Sequence, residues 1–181
     1  MYRRFVTEAG LPSLSLRKAE KRLPSGSSRG MDKEIDMDKQ KEKQLYRRFP
    51  VLFRQALAPK GEQGCMAWGL SVGDGWHDLI VRISEAIEMI AVRHGLTPDE
   101  WPHVVQVKEK FGELRFTIRF ESDPTQRQRA IRDEIYRVKE ELASLSQSIC
   151  ERCGAPGVMR KQGWMHVYCD HCEDLYLRGL S

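Results

Sequence analysis

Four cysteines dominate the stretch CERCGAPGVMRKQGWMHVYCDHC, residues 150–172. They form two C-x2-C pairs, Cys150 with Cys153 and Cys169 with Cys172, and fifteen residues separate the pairs. This spacing is typical of zinc ribbons, in which each pair makes a tight turn that directs two thiolates to one point. We predict a structural Zn²⁺ site, because four thiolates complete a tetrahedron and leave no position for a catalytic water.

The cellular setting predicted from the sequence favours metal binding by these cysteines. No apolar run approaches the ~20 residues of a membrane span, and no secretory signal pattern follows the basic N-terminus. We therefore expect a cytoplasmic, reducing location, where paired C-x2-C motifs bind metal more often than they form disulfides. A redox dithiol is the alternative, but the pairs lack its usual βαβ setting. His166 and His171 could each replace a cysteine, but with four cysteines present we expect neither to bind the metal.

Charge is distributed unevenly along the 181 residues. The net charge is +4, but residues 1–30 carry seven Lys/Arg and two Asp/Glu, whereas residues 31–181 carry 23 and 24. The basicity thus belongs to a polar leader that contains the run SGSSRG. We predict that residues 1–44 are a disordered or mis-assigned leader, that 45–148 form the body, and that 149–181 form the zinc ribbon.

Apolar periodicity in the body predicts an α+β fold. A small helix and β-hairpin body is expected, with a long amphipathic helix leading into the ribbon. The predicted segments are a helix over 45–57, a strand over 65–72, a helix over 76–93, a hairpin over 104–120 and a helix over 124–149. In the last helix, apolar residues from 131 to 149 repeat at intervals of four and three. We expect this seam to pack on the hairpin and on the first helix, and pairing with a second copy or a partner is the alternative.

The hairpin carries the densest positive charge of the body. Its basic residues alternate with aromatic ones, which indicates either a hairpin with one solvated face or a binding surface for nucleic acid or an acidic protein. Three further residues cluster at the turn of the ribbon. The candidate binding residues are Lys108, Lys110, Phe111, Arg115, Arg119, Arg160, Lys161 and Trp164.

A catalytic site is not expected. Asp74, His77 and Asp78 lie close together in GDGWHDL, but acidic residues at a helix start are also explained by capping and by the helix dipole. Cys65 lies in an apolar run without a nearby base, which predicts a small buried side chain. His94 and His103 are expected at the surface. The sequence contains no HExxH, Walker, GxSxG or GxGxxG motif.

Three stretches together resemble a family of small uncharacterised proteins of bacteriophages and prophages. They are WGLSVGDGWHDLI, VVQVKEKFGELRF and the cysteine-bearing stretch, and the resemblance covers roughly residues 45–175. In that family the last ligand is often histidine, where this chain has Cys172. The resemblance implies a bacterial or phage setting and no particular reaction.

These observations favour a non-catalytic zinc-ribbon binding protein of phage or mobile-element origin. Its target would be a host or phage macromolecule, with protein preferred because residues 31–181 carry a net charge of −1. Two alternatives stay open: a nucleic-acid-binding accessory protein, and a metal-dependent enzyme that uses Asp74, His77 and Asp78.

Overall fold

A computed structural model describes residues 36–161 and 164–180, so the predictions for residues 1–35 lie outside the described residues. Four α-helices and two antiparallel hairpins make up the regular structure of this part, which confirms the α+β class. The elements are α1 (Lys39–Arg48), α2 (His77–Arg93), β1 (His103–Lys110), β2 (Glu113–Arg119), α3 (Gln126–Ser144), β3 (Val158–Arg160), β4 (His166–Tyr168) and α4 (Asp170–Leu177).

The body begins earlier than the predicted boundary at residue 45. Met37 is only 1% exposed, and α1 starts at Lys39. Asp38 caps this helix, since its Oδ1 accepts hydrogen bonds from the backbone N–H groups of Gln40 and Lys41 at 2.9 and 3.1 Å. The predicted helix over 45–57 is correspondingly wrong beyond Arg48, where turns replace it. The alternating charges before residue 45 suggested a disordered leader, but tertiary contacts stabilise helix α1 there.

The strand predicted over residues 65–72 is also wrong. A 3-10 helix, Gly64–Trp68, occupies most of this segment, and positive φ angles at Gly64 and Gly69 interrupt an extended course. Within this segment only Ser71 pairs with the hairpin backbone: its N–H donates to Val107 O at 3.1 Å and its carbonyl accepts from Glu109 N at 2.9 Å. Cys65 consequently lies exposed at the surface and not buried as predicted.

The hairpin of β1 and β2 confirms the prediction for residues 104–120. Val107 lies opposite Phe116 on the buried face, and Lys108 lies opposite Arg115 on the other face. The turn places Phe111 at φ 56° and Gly112 at φ 75°. Two consecutive positive φ angles are the signature of a type I′ turn, whose twist matches that of the flanking strands.

Helix α3 packs against β2 of the hairpin, as predicted for its apolar seam, but its main helix partner is α2 and not the predicted first helix. Ile131 and Ile135 are 4% and 0% exposed, so the two most buried residues of the seam pack inside this chain and do not face a partner. Thr125 caps the helix, since its side chain accepts a hydrogen bond from Gln128 N. The last turns of the predicted helix, Leu145–Ser148, form a 3-10 helix that ends just before the first cysteine pair. All described residues belong to one compact unit.

Candidate metal centre

The sulfur atoms of Cys150, Cys153, Cys169 and Cys172 all lie within 4.8 Å of one another. None of these cysteines is in a disulfide, and the Sγ atoms of Cys153 and Cys169 are 3.6 Å apart. A tetrahedral tetrathiolate with Zn–S bonds of ~2.3 Å has sulfur atoms ~3.8 Å apart, so the cluster has the size of such a site. These four residues, which the sequence predicted as ligands, can together hold a metal ion.

The first cysteine pair lies in a tight backbone turn. Gly154 N donates to Cys150 O at 2.8 Å, and Cys150 N donates to Ala155 O at 2.7 Å. Gly154 adopts φ 77°, a conformation that glycine reaches without strain. This first knuckle, residues 150–154, follows directly from the sequence CERCG.

The second cysteine pair opens helix α4, which the sequence analysis missed. Cys169 is the N-cap residue, and its Sγ accepts a hydrogen bond from Cys172 N at 3.4 Å. The acidic residues Asp170 and Glu173 in the first turn were the available signal for a helix start. Buried His166 ties β4 to this helix, since its Nε2 lies 2.7 Å from Glu173 Oε2 and its Nδ1 lies 2.7 Å from Trp164 O.

Electrostatics at the cluster favour a bound cation. Loss of water around the sulfur raises the pKa of Cys153 to about 11, although the residue faces solvent on one side, and burial also raises the pKa of Cys172. Burial acts in the same direction on Cys169, but hydrogen bonds from Cys172 N–H and from neighbouring thiols outweigh it and lower that pKa. Four thiolates at this spacing therefore need a positive charge between them, which a divalent metal supplies.

The loop Gly73–Trp76 docks directly on the first knuckle. Gly75 N donates to Glu151 O at 2.7 Å, and a Cβ on Gly75 would lie 2.1 Å from Cys150 O. Trp76 is fully buried, and its indole Nε1 donates to Ile149 O at 2.9 Å. The metal site is thus continuous with the body and does not form the separate ribbon domain that was predicted.

A carboxyl group is buried at this junction. Glu151 is 3% exposed, and its Oε1 accepts a hydrogen bond from Gly73 N at 3.2 Å. Burial raises the pKa of Glu151 to about 7, and the Gly73 hydrogen bond only partly opposes this. The sequence analysis missed Glu151, because its burial depends on a contact with residues more than seventy positions away.

The candidate catalytic residues Asp74, His77 and Asp78 do not converge on one point. Asp74 fastens α1, because its Oδ1 accepts from Asp38 N at 2.8 Å and its Oδ2 accepts from Lys41 Nζ at 2.9 Å. His77 Nδ1 lies 3.0 Å from Asp78 Oδ1, and the Asp78 side chain is 98% exposed. Asp74 therefore supports a different helix from the one it was predicted to cap.

The predicted binding residues near the two hairpin turns come together in one place. Gly112 packs so closely on β3 that a Cβ there would lie 2.6 Å from the Met159 thioether. Across the same junction, Trp164 Nε1 donates to Glu109 Oε2 at 3.4 Å. We call the exposed residues at this junction the tip surface: Lys110, Phe111, Lys161 and Trp164.

The remaining predicted binding residues divide into two groups. Arg115 and Arg119 are exposed on the solvated face of the hairpin, with Lys108 partly covered beside them. Arg160 instead supports the metal centre, because its Nη2 donates to Asp170 Oδ1 at 2.6 Å beside the second cysteine pair. His103, predicted at the surface, is 4% exposed and lies 3.1 Å from Arg54 Nη2, which makes it part of the body's interior.

Comparison of the chain with protein-family models, with curated proteins and with solved structures gives no match. Among the described residues, no helix combines the length and the apolar character that crossing a membrane requires. The fold and site define an α+β domain with four clustered cysteines that can hold a metal ion.

Proposed function

We propose that this chain is a non-catalytic, zinc-stabilised binding protein whose tip surface contacts another protein. The observation that supports the proposal is the conformation and exposure of Phe111. This residue adopts φ 56°, which a bulky side chain disfavours by about 1 to 2 kcal/mol, and yet 54% of it is exposed. Packing within the chain does not explain why a phenylalanine occupies this strained backbone position with its ring exposed, whereas contact of the ring with a partner does.

Zinc is the metal that best suits the site. Four cysteine thiolates in a C-x2-C, fifteen-residue, C-x2-C arrangement are the ligands of structural zinc, and they leave no position for a substrate or a catalytic water. The metal's role here is to fix the knuckles and, through them, the loop that carries Trp164. The proposed site is structural for this reason.

A second aromatic ring accompanies Phe111. Trp164 is 66% exposed, and Glu109, two residues from Phe111, accepts the hydrogen bond of its indole. Lys110 Nζ lies 5.4 Å from the centre of the Phe111 ring, which keeps positive charge beside the aromatic surface. Exposed aromatic rings are enriched where proteins bind one another, and the neighbouring lysines suit acidic side chains on a partner.

Charge favours a protein over nucleic acid as the partner. The carboxylates of Glu109 and Glu113 lie within the hairpin, and a zinc ion bound by four thiolates carries a net charge of −2. Both oppose a phosphate backbone, but neither prevents local contact with acidic side chains. The resemblance to bacteriophage and prophage proteins extends the proposal to a host or phage protein in the bacterial cytoplasm.

Single-stranded nucleic acid is the second candidate. Exposed rings flanked by lysines are also the surface on which unpaired bases stack. Such binding would weaken steeply as salt concentration rises, because lysines would displace counterions from the phosphates. Salt-independent binding would exclude this candidate.

The experiment is affinity capture by the tagged, zinc-loaded full chain from a lysate of the source cells, with and without nuclease. We expect a nuclease-resistant protein partner that the variants Phe111→Asn and Trp164→Ala lose. Asn tolerates positive φ and suits a type I′ turn before Gly112, so the first variant should be at least as stable as the parent chain. Met89→Ala is the matched control, because Met89 is 59% exposed on α2. Equal capture by all variants, or capture abolished by nuclease, would contradict the proposal.

A further inference from the structure

The four cysteines differ in their access to solvent. Cys150 and Cys172 are 0% and 5% exposed, whereas Cys153 is exposed and Cys169 is partly so. Each knuckle thus contributes one inner and one outer sulfur. The two outer sulfurs, Cys153 Sγ and Cys169 Sγ, lie 3.6 Å apart.

We propose that Cys153 and Cys169 form a peroxide-sensitive pair whose oxidation to a disulfide releases the metal. A disulfide bond is ~2.05 Å long, so the two sulfurs need to approach by only ~1.5 Å. The inner pair has no comparable access, since Cys150 is fully buried and Cys172 is only 5% exposed. The outer edge of the cluster is therefore where oxidation begins.

Hydrogen peroxide is the oxidant that takes up the two electrons released when the disulfide forms. One of the two outer thiolates attacks one oxygen of hydrogen peroxide, which gives a sulfenic acid and hydroxide. The other outer thiolate then attacks that sulfur and expels a second hydroxide as the S–S bond forms. Two thiolates lose two electrons, the peroxide is reduced, and two protons from solvent convert both hydroxides to water.

Metal release follows from the loss of ligands. The disulfide removes two of the four thiolates together with both of their negative charges, and only Cys150 and Cys172 are left to bind the ion. Trp164 lies in the loop between β3 and β4, so release also loosens one side of the tip surface. This last consequence rests on the proposed function, whereas the oxidation step does not.

The test uses the zinc-loaded full chain with Cys65→Ser, which removes the one cysteine outside the cluster. Hydrogen peroxide is added stepwise, released zinc is followed with a chromogenic chelator, and disulfides are mapped by mass spectrometry without reduction. We expect one zinc released per disulfide, a first disulfide between Cys153 and Cys169, and recovery of the zinc-bound state after treatment with a thiol reductant and zinc.

Two results would overturn the inference: a first disulfide within one knuckle or between the inner cysteines, or zinc retained until the sulfurs are oxidised irreversibly. Cys153→His, which keeps a fourth ligand but cannot form the disulfide, should release zinc more slowly. If that variant does not bind zinc, the disulfide map of the Cys65→Ser chain decides alone. Disulfide formation without partner capture would overturn only the proposed function, and partner capture without this disulfide would overturn only the oxidation site.

Discussion

The backbone of Gly75 lies against the backbone of Cys150, so that a Cβ on Gly75 would come within 2.1 Å of the Cys150 carbonyl oxygen. The same Cβ would lie 2.4 Å from Gly154 N and 2.6 Å from Glu151 O. The turn that leads into α2 and the turn that carries two metal ligands are therefore in direct backbone contact. We therefore expect metal binding by Cys150 and Cys153 to be linked to folding of the body through this contact.

Gly75→Ala is expected to destabilise the chain by about 3 kcal/mol or more, because three backbone atoms would have to move. Zinc affinity should fall as well, although all four ligands are unchanged. Urea unfolding and chelator competition measure the two effects. The matched control is Gly61→Ala, where no atom lies within 4 Å and only the φ of +98° opposes the change, at about 1 kcal/mol. Equal losses for both variants would show that the contact with the knuckle is unimportant.

Trp76→Phe should lower the free energy of unfolding by about 1 to 3 kcal/mol. The substitution removes the indole N–H and leaves the Ile149 carbonyl without its buried hydrogen-bond partner. Trp68→Phe is the control, because Trp68 is 75% exposed. Thermal melts of both variants give the comparison, and a Trp76 variant as stable as the Trp68 variant would argue against a structural role for this hydrogen bond.

Asp74→Ala should cost about 1 to 2 kcal/mol, since it removes an acceptor for Asp38 N and for Lys41 Nζ. Asp78→Ala should change stability by less than about 0.5 kcal/mol, because that side chain is 98% exposed. Partner capture should be unaffected in both. Loss of a cellular phenotype in a well-folded Asp78→Ala chain would instead revive the enzyme hypothesis.

The contribution of Glu151 to the free energy of unfolding should fall as pH rises toward 7. Its pKa is about 7 in the folded chain and near 4.5 when unfolded, so the folded state binds a proton that the unfolded state has released between these values. Stability is therefore lost as pH rises from about 4.5 to 7 and is constant above, with a total effect on the order of 3 kcal/mol.

Glu151→Gln keeps an acceptor for Gly73 N and removes the titration. The variant should thus be more stable than the parent chain at pH 8, and the difference should shrink toward pH 6. Denaturant unfolding of both metal-loaded proteins across this range measures it. A constant difference between the two proteins would show that Glu151 is not the titrating group.

Residues that depend on local pattern were predictable from the sequence. The spacing of the four cysteines identified the candidate ligands, and alternating apolar residues identified the hairpin with Gly112 in its turn. Both signals arise within about twenty residues of sequence. The seam that contains Ile131 and Ile135 was found for the same reason.

Residues whose roles depend on distant contacts could not be predicted. Glu151 and His103 look like surface residues in the sequence, but packing against the loop at Gly73 and against Arg54 buries them. The failed strand at Cys65 shows the converse, since its apolar composition suits a strand while Gly64 and Gly69 turn the chain. The approach of the two hairpin turns at Gly112 and Met159 likewise has no local signal.

Removing the metal is the most direct way to learn whether a bound zinc ion stabilises the folded chain. The full chain is loaded with zinc, its metal content is measured, and its thermal unfolding is followed by far-UV circular dichroism, which reports mainly on α2 and α3, before and after chelation. We predict one zinc per chain and a single unfolding transition whose midpoint falls by about 10 °C or more when the metal is removed. A chain that binds no zinc, or helices that melt at the same temperature with and without it, would show that zinc does not stabilise this fold.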